Sequence, residues 1–374
     1  MRIASPYRLL FTAAFGVLAA ACEGSDSPLE PPAIPEAADA APLPGEPAAL
    51  AATRWADGYA SANNPTASSY TPHYTESYNR SGGGINIRRA DGTTGRYIVT
   101  FTGLSALLGT KSTVHVSALG DDLGYCKPMT GTLVTDRVEV RCFRIGTGTP
   151  LNTAFTVVVL GKRADRAFAF AHLPTSTGYA PAGSGSYNAA GSIRVNRFGT
   201  GYYQVLFNNL GGQLGSSGGH VQVHAVASAK AYCKASEEWG GNPNVSVSVQ
   251  CYGPTGAVVD AKFTVLVQKP TAHLAYTYHH SIGATFYEPS AFWTSNPTGG
   301  KAKVQRISQG FSYVTWPGMD PEILDMGTVQ VTALGLYDNA YCKVWTIYVD
   351  GAIVRCFAAN GTLVDVGFTA LLGS

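Results

Sequence analysis

Charge is scarce in this chain. Asp, Glu, Lys and Arg make up 13% of its 374 residues, too few for long surface helices, which carry charge along their outer face. Nor are Lys and Arg massed anywhere into a stripe, so the footprint of a nucleic-acid partner is missing. Recognisable chemistry is missing too: there is no Gly-x-Ser-x-Gly elbow, no His-Glu-x-x-His, no phosphate loop and no calcium loop of alternating acids. The sequence nominates no catalytic residue, metal site or cofactor, and the expected role is non-enzymatic.

Small and aromatic residues are plentiful instead. The chain has 43 Gly and 20 Tyr, and it is 45% hydrophobic and 11% aromatic. Apolar material on that scale supplies cores for two or three domains. Many short strands joined by glycine turns give this profile, so the expected fold class is all-β.

The amino terminus reads Met1-Arg2 through Arg8, a mostly apolar run from Leu9 to Ala21, then Cys22. A basic start before an apolar stretch too short to span a bilayer marks residues 1–21 as a secretory leader. Leu18-Ala19-Ala20-Ala21-Cys22 resembles the bacterial lipobox, with Ala19 where a large aliphatic residue is usual. That resemblance implies a lipoprotein precursor cut before Cys22, which takes the lipids; the alternative is cleavage at an Ala-x-Ala site, leaving a lone Cys near the new end. Glu23 rather than Asp follows Cys22, which points to the outer membrane or cell surface, with the lipid as the membrane contact. Residues 22–54 then read as a tether rich in Pro, Ala and Glu, with six acids and no Lys, Arg or aromatic residue between 23 and 53.

Beyond the tether the chain repeats itself. Tyr125-Cys126-Lys127 recurs as Tyr232-Cys233-Lys234 and Tyr341-Cys342-Lys343, and each is followed by a second cysteine, Cys142, Cys251 or Cys356. Gly95 to Phe101 matches Gly201 to Phe207 and Gly310 to Trp316, and Val114 to Ala118 matches Val221 to Ala225 and Val329 to Ala333. Corresponding positions lie 105 to 109 residues apart, so the period is a whole domain. Three domains are expected, at 55–163, 167–269 and 273–374.

Within a copy, apolar and polar residues alternate with period two. For the second copy the expected strands are Ala167–Leu173, Ser192–Arg197, Tyr202–Asn208, His220–Val226, Ala231–Ala235, Ser246–Tyr252 and Lys262–Val267. Seven half-wet antiparallel strands make a β-sandwich, immunoglobulin-like or jelly-roll-like, and the sequence leaves that choice open. Two cysteines per copy predict one disulfide in each: Cys126–Cys142, Cys233–Cys251 and Cys342–Cys356. A metal site would need further ligands, and no His or third Cys recurs beside them.

Comparing the copies sorts the candidate residues. The histidines do not recur, and His115 and His224 fall on polar strand positions, which predicts a solvated face. His279-His280 belongs to the third copy alone and would support a hydrolase confined to one copy only if a cleft joined it to an acid. Asp260 and Asp365, with Asn152 in the first copy, read as turn caps. If the cysteines face inward, alternation turns Tyr125, Tyr232, Tyr341 and the adjoining Lys127, Lys234 and Lys343 outward; Trp239 and Trp345 lie just beyond in two copies. Tyr125, Tyr232, Trp239, Tyr341 and Trp345 are therefore the candidate binding surface, where rings stack on sugars or anchor a protein. The alternative is that they seal sheet edges.

The pattern Gly-x-Tyr-x-Val-x-Phe, Val-x-Val-x-Ala, Tyr-Cys-Lys and Val-x-Val-x-Cys-Phe resembles a tandem β-sandwich repeat of secreted bacterial proteins without an assigned activity. The resemblance covers residues 55 to 374 and lends no catalytic residues. Polysaccharide binding or protein adhesion, with a structural spacer in the envelope as a further reading, are the roles the sequence leaves in play.

Overall fold

The structure is a computed structural model that describes residues 54–90, 92–215, 217–235, 239–319, 327–335 and 338–373. The leader, Cys22 and nearly all of the tether lie outside the described residues. The fold is mostly β, and the described residues belong to one compact unit that reaches the C terminus. No helix of the described residues is long and apolar enough to cross a membrane.

The second copy shows how the sequence makes its sheets. Its strands are Arg166–Ala171, Ile193–Gly199, Tyr202–Phe207, His220–Val226, Tyr232–Ala235, Val245–Tyr252 and Lys262–Gln268, within two residues of the expected bounds. Arg166–Ala171 and His220–Val226 flank Lys262–Gln268 in a three-stranded antiparallel sheet. The other four, with the short strand Gly178–Tyr179 at the edge, form a five-stranded sheet. Val205, Val247 and Val249 from the larger sheet meet Ala169, Val223 and Val265 from the smaller in one core. The two sheets thus face each other across the side chains that alternation turned inward.

The first and third copies repeat the plan. In the first copy Ile85–Arg89, Arg96–Phe101, Arg137–Arg144 and Gly124–Pro128 make the larger sheet; in the third, Lys303–Ser308, Phe311–Thr315, Gly351–Phe357 and Tyr341–Tyr348 pair in the same order, and a parallel bridge from Val344 to Leu119 runs them on into the first copy's Ser112–Leu119, Ala154–Gly161 and Gly58–Ala62 as one nine-stranded sheet. Each copy has its own core. Two short helices, Leu104–Leu108 and Gly211–Leu214, fill connections that the strand pattern had left blank.

The recurrent glycine at the head of the strands Arg96–Phe101, Tyr202–Phe207 and Phe311–Thr315 has a backbone reason. Gly95, Gly201 and Gly310 have φ of 68°, 65° and 72°, and a Cβ there would come within 2.8 Å of the carbonyl oxygen of Cys142, Cys251 or Cys356. Only glycine fits both constraints at no steric cost. Each N–H donates to the capping side chain expected from the sequence: Asn152, Asp260 or Asp365, at 2.8 Å in every copy.

One expectation about the sheets fails. The larger sheets keep an outer face that alternates with the buried one, as in Val245–Tyr252, but every residue of His220–Val226 and of Thr328–Ala333 is buried. The smaller sheets have no wet face, because they abut one another. A second apolar cluster joins Tyr59, Val158 and Leu160 of the first copy to Phe168 and Leu266 of the second and Tyr276 and Leu371 of the third.

Candidate functional site

All three disulfides form within a copy, as expected. Cys126 stands directly opposite Cys142, Cys233 opposite Cys251 and Cys342 opposite Cys356 on neighbouring strands, with S–S distances of 2.07, 2.04 and 2.05 Å. They fit an oxidising, extracytoplasmic environment. The cysteines face their own cores, so alternation does turn the flanking Tyr and Lys away from them.

All of those residues but Tyr341, which is half-buried, are shut off from solvent. Tyr125 and Tyr232 are 1% and 3% exposed, and Lys127, Lys234 and Lys343 are 2%, 1% and 0% exposed. The three tyrosines meet each other, with ring centroids 5.7 Å apart for Tyr125–Tyr232, 5.7 Å for Tyr125–Tyr341 and 5.9 Å for Tyr232–Tyr341. Tyr125, Tyr232 and Tyr341 are corrected accordingly: they face out of their own copy and into the next. The cavity among them is about 10 Å³, room for one water.

The polar contacts run in a cycle. The Lys127 ammonium donates to the Ala229 carbonyl, Lys234 pairs with Asp338, and Lys343 Nζ lies 2.7 Å from Asp122 Oδ1. The backbone follows the same order: Ala227 N donates to Pro128 O at 3.2 Å, Gly335 N to Ala235 O at 3.3 Å and Gly120 N to Val344 O at 3.0 Å. First holds second, second holds third, and third holds first. Burial drives all three amines down from the ordinary lysine range; carboxylates oppose that at Lys234 and Lys343, while Lys127, given only a carbonyl, falls to about 7.

His115, His220 and His224 lie in this interior as well, which corrects the solvated face expected of His115 and His224. Their Nδ1 atoms are 3.0 Å apart, so one donates and the other accepts, and at least one ring must be neutral. Around them Ser117 Oγ donates to Gln330 Oε1 at 3.0 Å, Thr332 Oγ1 donates to Gln222 Oε1 at 2.9 Å, and His220 Nδ1 pairs with Thr369 Oγ1 at 2.7 Å. Burial lowers His220 and His224 to about 3 and His115 far below its usual value. His279 Nδ1 bonds the Tyr287 hydroxyl at 2.8 Å. Asp365, the acid whose charge acts on it, is held by Arg306 and Gly310 N.

What remains outward differs from copy to copy. On the first copy's larger sheet Arg96 and Arg141 both bond Glu139, at 2.8 and 3.2 Å, giving a charged face. On the third copy the matching face is aromatic. Trp345 packs edge-on against Phe311 at 5.4 Å, and Tyr313 packs edge-on against Tyr348 at 5.7 Å; all four rings are half-buried. Of the five candidate aromatics, Trp345 is the one on such an outer face.

Trp239 requires a correction. It is 4% exposed, donates Nε1 to the Gly218 carbonyl at 2.8 Å and packs edge-on against Trp293 of the third copy at 5.2 Å. A Cβ on Gly218 would sit 2.6 Å from the Trp293 ring, so this contact depends on glycine. Trp239 forms the back of an open cleft of about 510 Å³ between the second copy's outer sheet face and the Phe292–Trp293 loop. Phe198, which sequence reasoning passed over, stands on its rim 63% exposed, and Phe292 is 46% exposed. The signal for both was their absence from the repeat pattern.

No protein-family model, curated protein or solved structure matches this chain.

Proposed function

We propose that this chain is a lipid-anchored envelope protein whose three β-sandwich copies close into one ring-like head that binds polysaccharide without transforming it. The reading includes lipid at Cys22, the outer membrane or cell surface as its place, and kinship with repeats of secreted bacterial proteins. One observation carries it: the tyrosines beside the first cysteines, Tyr125, Tyr232 and Tyr341, are spent on holding the copies together, while Phe311, Tyr313, Trp345 and Tyr348 line an outer sheet face of the third copy. A row of half-buried rings on a rigid sheet is a stacking platform for sugar rings, and its placement on one copy explains why no shared site recurs. The test is a screen of the full-length protein, in detergent, on an array of glycans and envelope polysaccharides. Saturable binding that Trp345→Ala weakens supports the reading; an array without a hit contradicts it.

A further inference from the structure

The cleft between the second and third copies has the chemistry of a separate saccharide site. Phe198 and Tyr202, 5.8 Å apart, rise on one side, and Phe292 and Trp293, 4.6 Å apart, stand on the other. The floor is polar: Gln204 donates to Ser246 Oγ at 2.8 Å and accepts from Asn196 at 3.2 Å. Among the described residues that line it, none is charged. Rings on two sides and amide and hydroxyl groups below match a pyranose, which offers C–H faces to aromatics and hydroxyls at its edge. A lining without cations gives an anionic sugar nothing to offset the loss of its hydration.

We infer that this cleft binds a short run of uncharged pyranose residues, distinct from the Trp345 face. Its size is in the range of small-ligand sites, so it takes a few sugar rings rather than a whole chain. The Trp345 face and the cleft belong to one compact unit, so a single polymer that reached both would gain avidity. This inference rests on the saccharide-binding reading above, but its residues are different.

The experiment titrates the full-length protein in detergent with cello-, malto-, xylo- and mannohexaose, and with oligogalacturonate as the anionic comparison. Tryptophan fluorescence and calorimetry are the readouts. At least one neutral hexaose is expected to bind, and Phe198→Ala is expected to weaken it about tenfold, the scale of one aromatic contact. Phe198→Trp should retain binding, which separates lost stacking from lost folding, and Trp293→Ala should change the fluorescence response. Neutral binding that Phe198→Ala and Trp293→Ala leave unchanged, while Trp345→Ala abolishes it, overturns the cleft and leaves the wider reading intact. Binding of oligogalacturonate alone overturns the neutral assignment. No binding of any saccharide overturns both.

Discussion

Lys343 Nζ lies 2.7 Å from Asp122 Oδ1, a contact that joins the third copy to the first. Lys343 is fully buried, so its charge depends on that carboxylate and on the Asp122 carbonyl at 3.0 Å. Asp122→Ala should destabilise the protein by about 3 kcal/mol, because it strands a buried cation. The double variant Asp122→Ala/Lys343→Met should recover much of the loss in chemical denaturation. If the single variant unfolds at the wild-type denaturant midpoint, the third copy is not held to the first by this pair.

Lys127 provides the converse. It faces the Ala229 carbonyl where the other two lysines face carboxylates, and its amine sits at about 7 instead of the usual 10.5. Across that interval the unfolded chain holds a proton that the folded chain has shed, so stability rises with pH from 7 toward 10.5. Between pH 7 and 9 the wild-type denaturation midpoint should climb, and Lys127→Met should make that slope shallower, leaving the share of Lys234 and Lys343. Equal slopes would contradict a buried, carboxylate-free amine.

The buried histidines set the acid limit. His220 and His224 at about 3, and His115 well below its usual value, stay neutral while the unfolded chain takes up protons below 6.5. Stability is therefore complete above 6.5 and falls as pH drops toward 3, with each such histidine contributing about 1.4 kcal/mol per pH unit in mid-interval. Denaturation midpoints at pH 7.0, 5.5 and 4.5 measure this, and His220→Gln should flatten the dependence. A midpoint unchanged between 7.0 and 4.5 would mean these rings are open to water.

Non-reducing peptide mapping should recover only Cys126–Cys142, Cys233–Cys251 and Cys342–Cys356. Removing any one pair should cost roughly 3 kcal/mol, the chain-entropy value for a loop of about 15 residues. A peptide linking two copies would break the pairing described here.

Cys22 should take an alkyne-tagged fatty acid in the native host, and Cys22→Ser should not. Label retained on the serine variant would place the lipid elsewhere.

Much of the fold was legible because alternation and the internal repeat each report on local geometry. The strand Tyr202–Phe207 was read within one residue, and the cysteines fell opposite each other on adjacent strands. The fate of Tyr125 and Lys127 was not legible. Period two says which face of a strand a residue occupies, but not what is pressed against that face. The expected solvent there is the next copy. His115 and His224 misled in the same way, since a polar residue on an outward face reads as wet until a second polar face is found packed on it. Phe198 and Trp293 went unnoticed because recurrence marks what the fold needs, and these two are not needed by every copy.

The central claim is that the tyrosines of the three Tyr-Cys-Lys segments hold the copies together and the aromatics on the third copy's outer face bind. The most direct measurement compares Tyr232→Ala and Trp345→Ala in the full-length protein, by thermal midpoint and by titration with the saccharide bound best on the array. Tyr232→Ala should cost about 3 kcal/mol and lower the midpoint sharply, yet bind normally at temperatures where it remains folded. Trp345→Ala should cost about 1 kcal/mol, the scale of its edge-on pair with Phe311, and lose binding. The opposite pattern, with Tyr232→Ala stable but unable to bind and Trp345→Ala binding as wild type, would contradict the account.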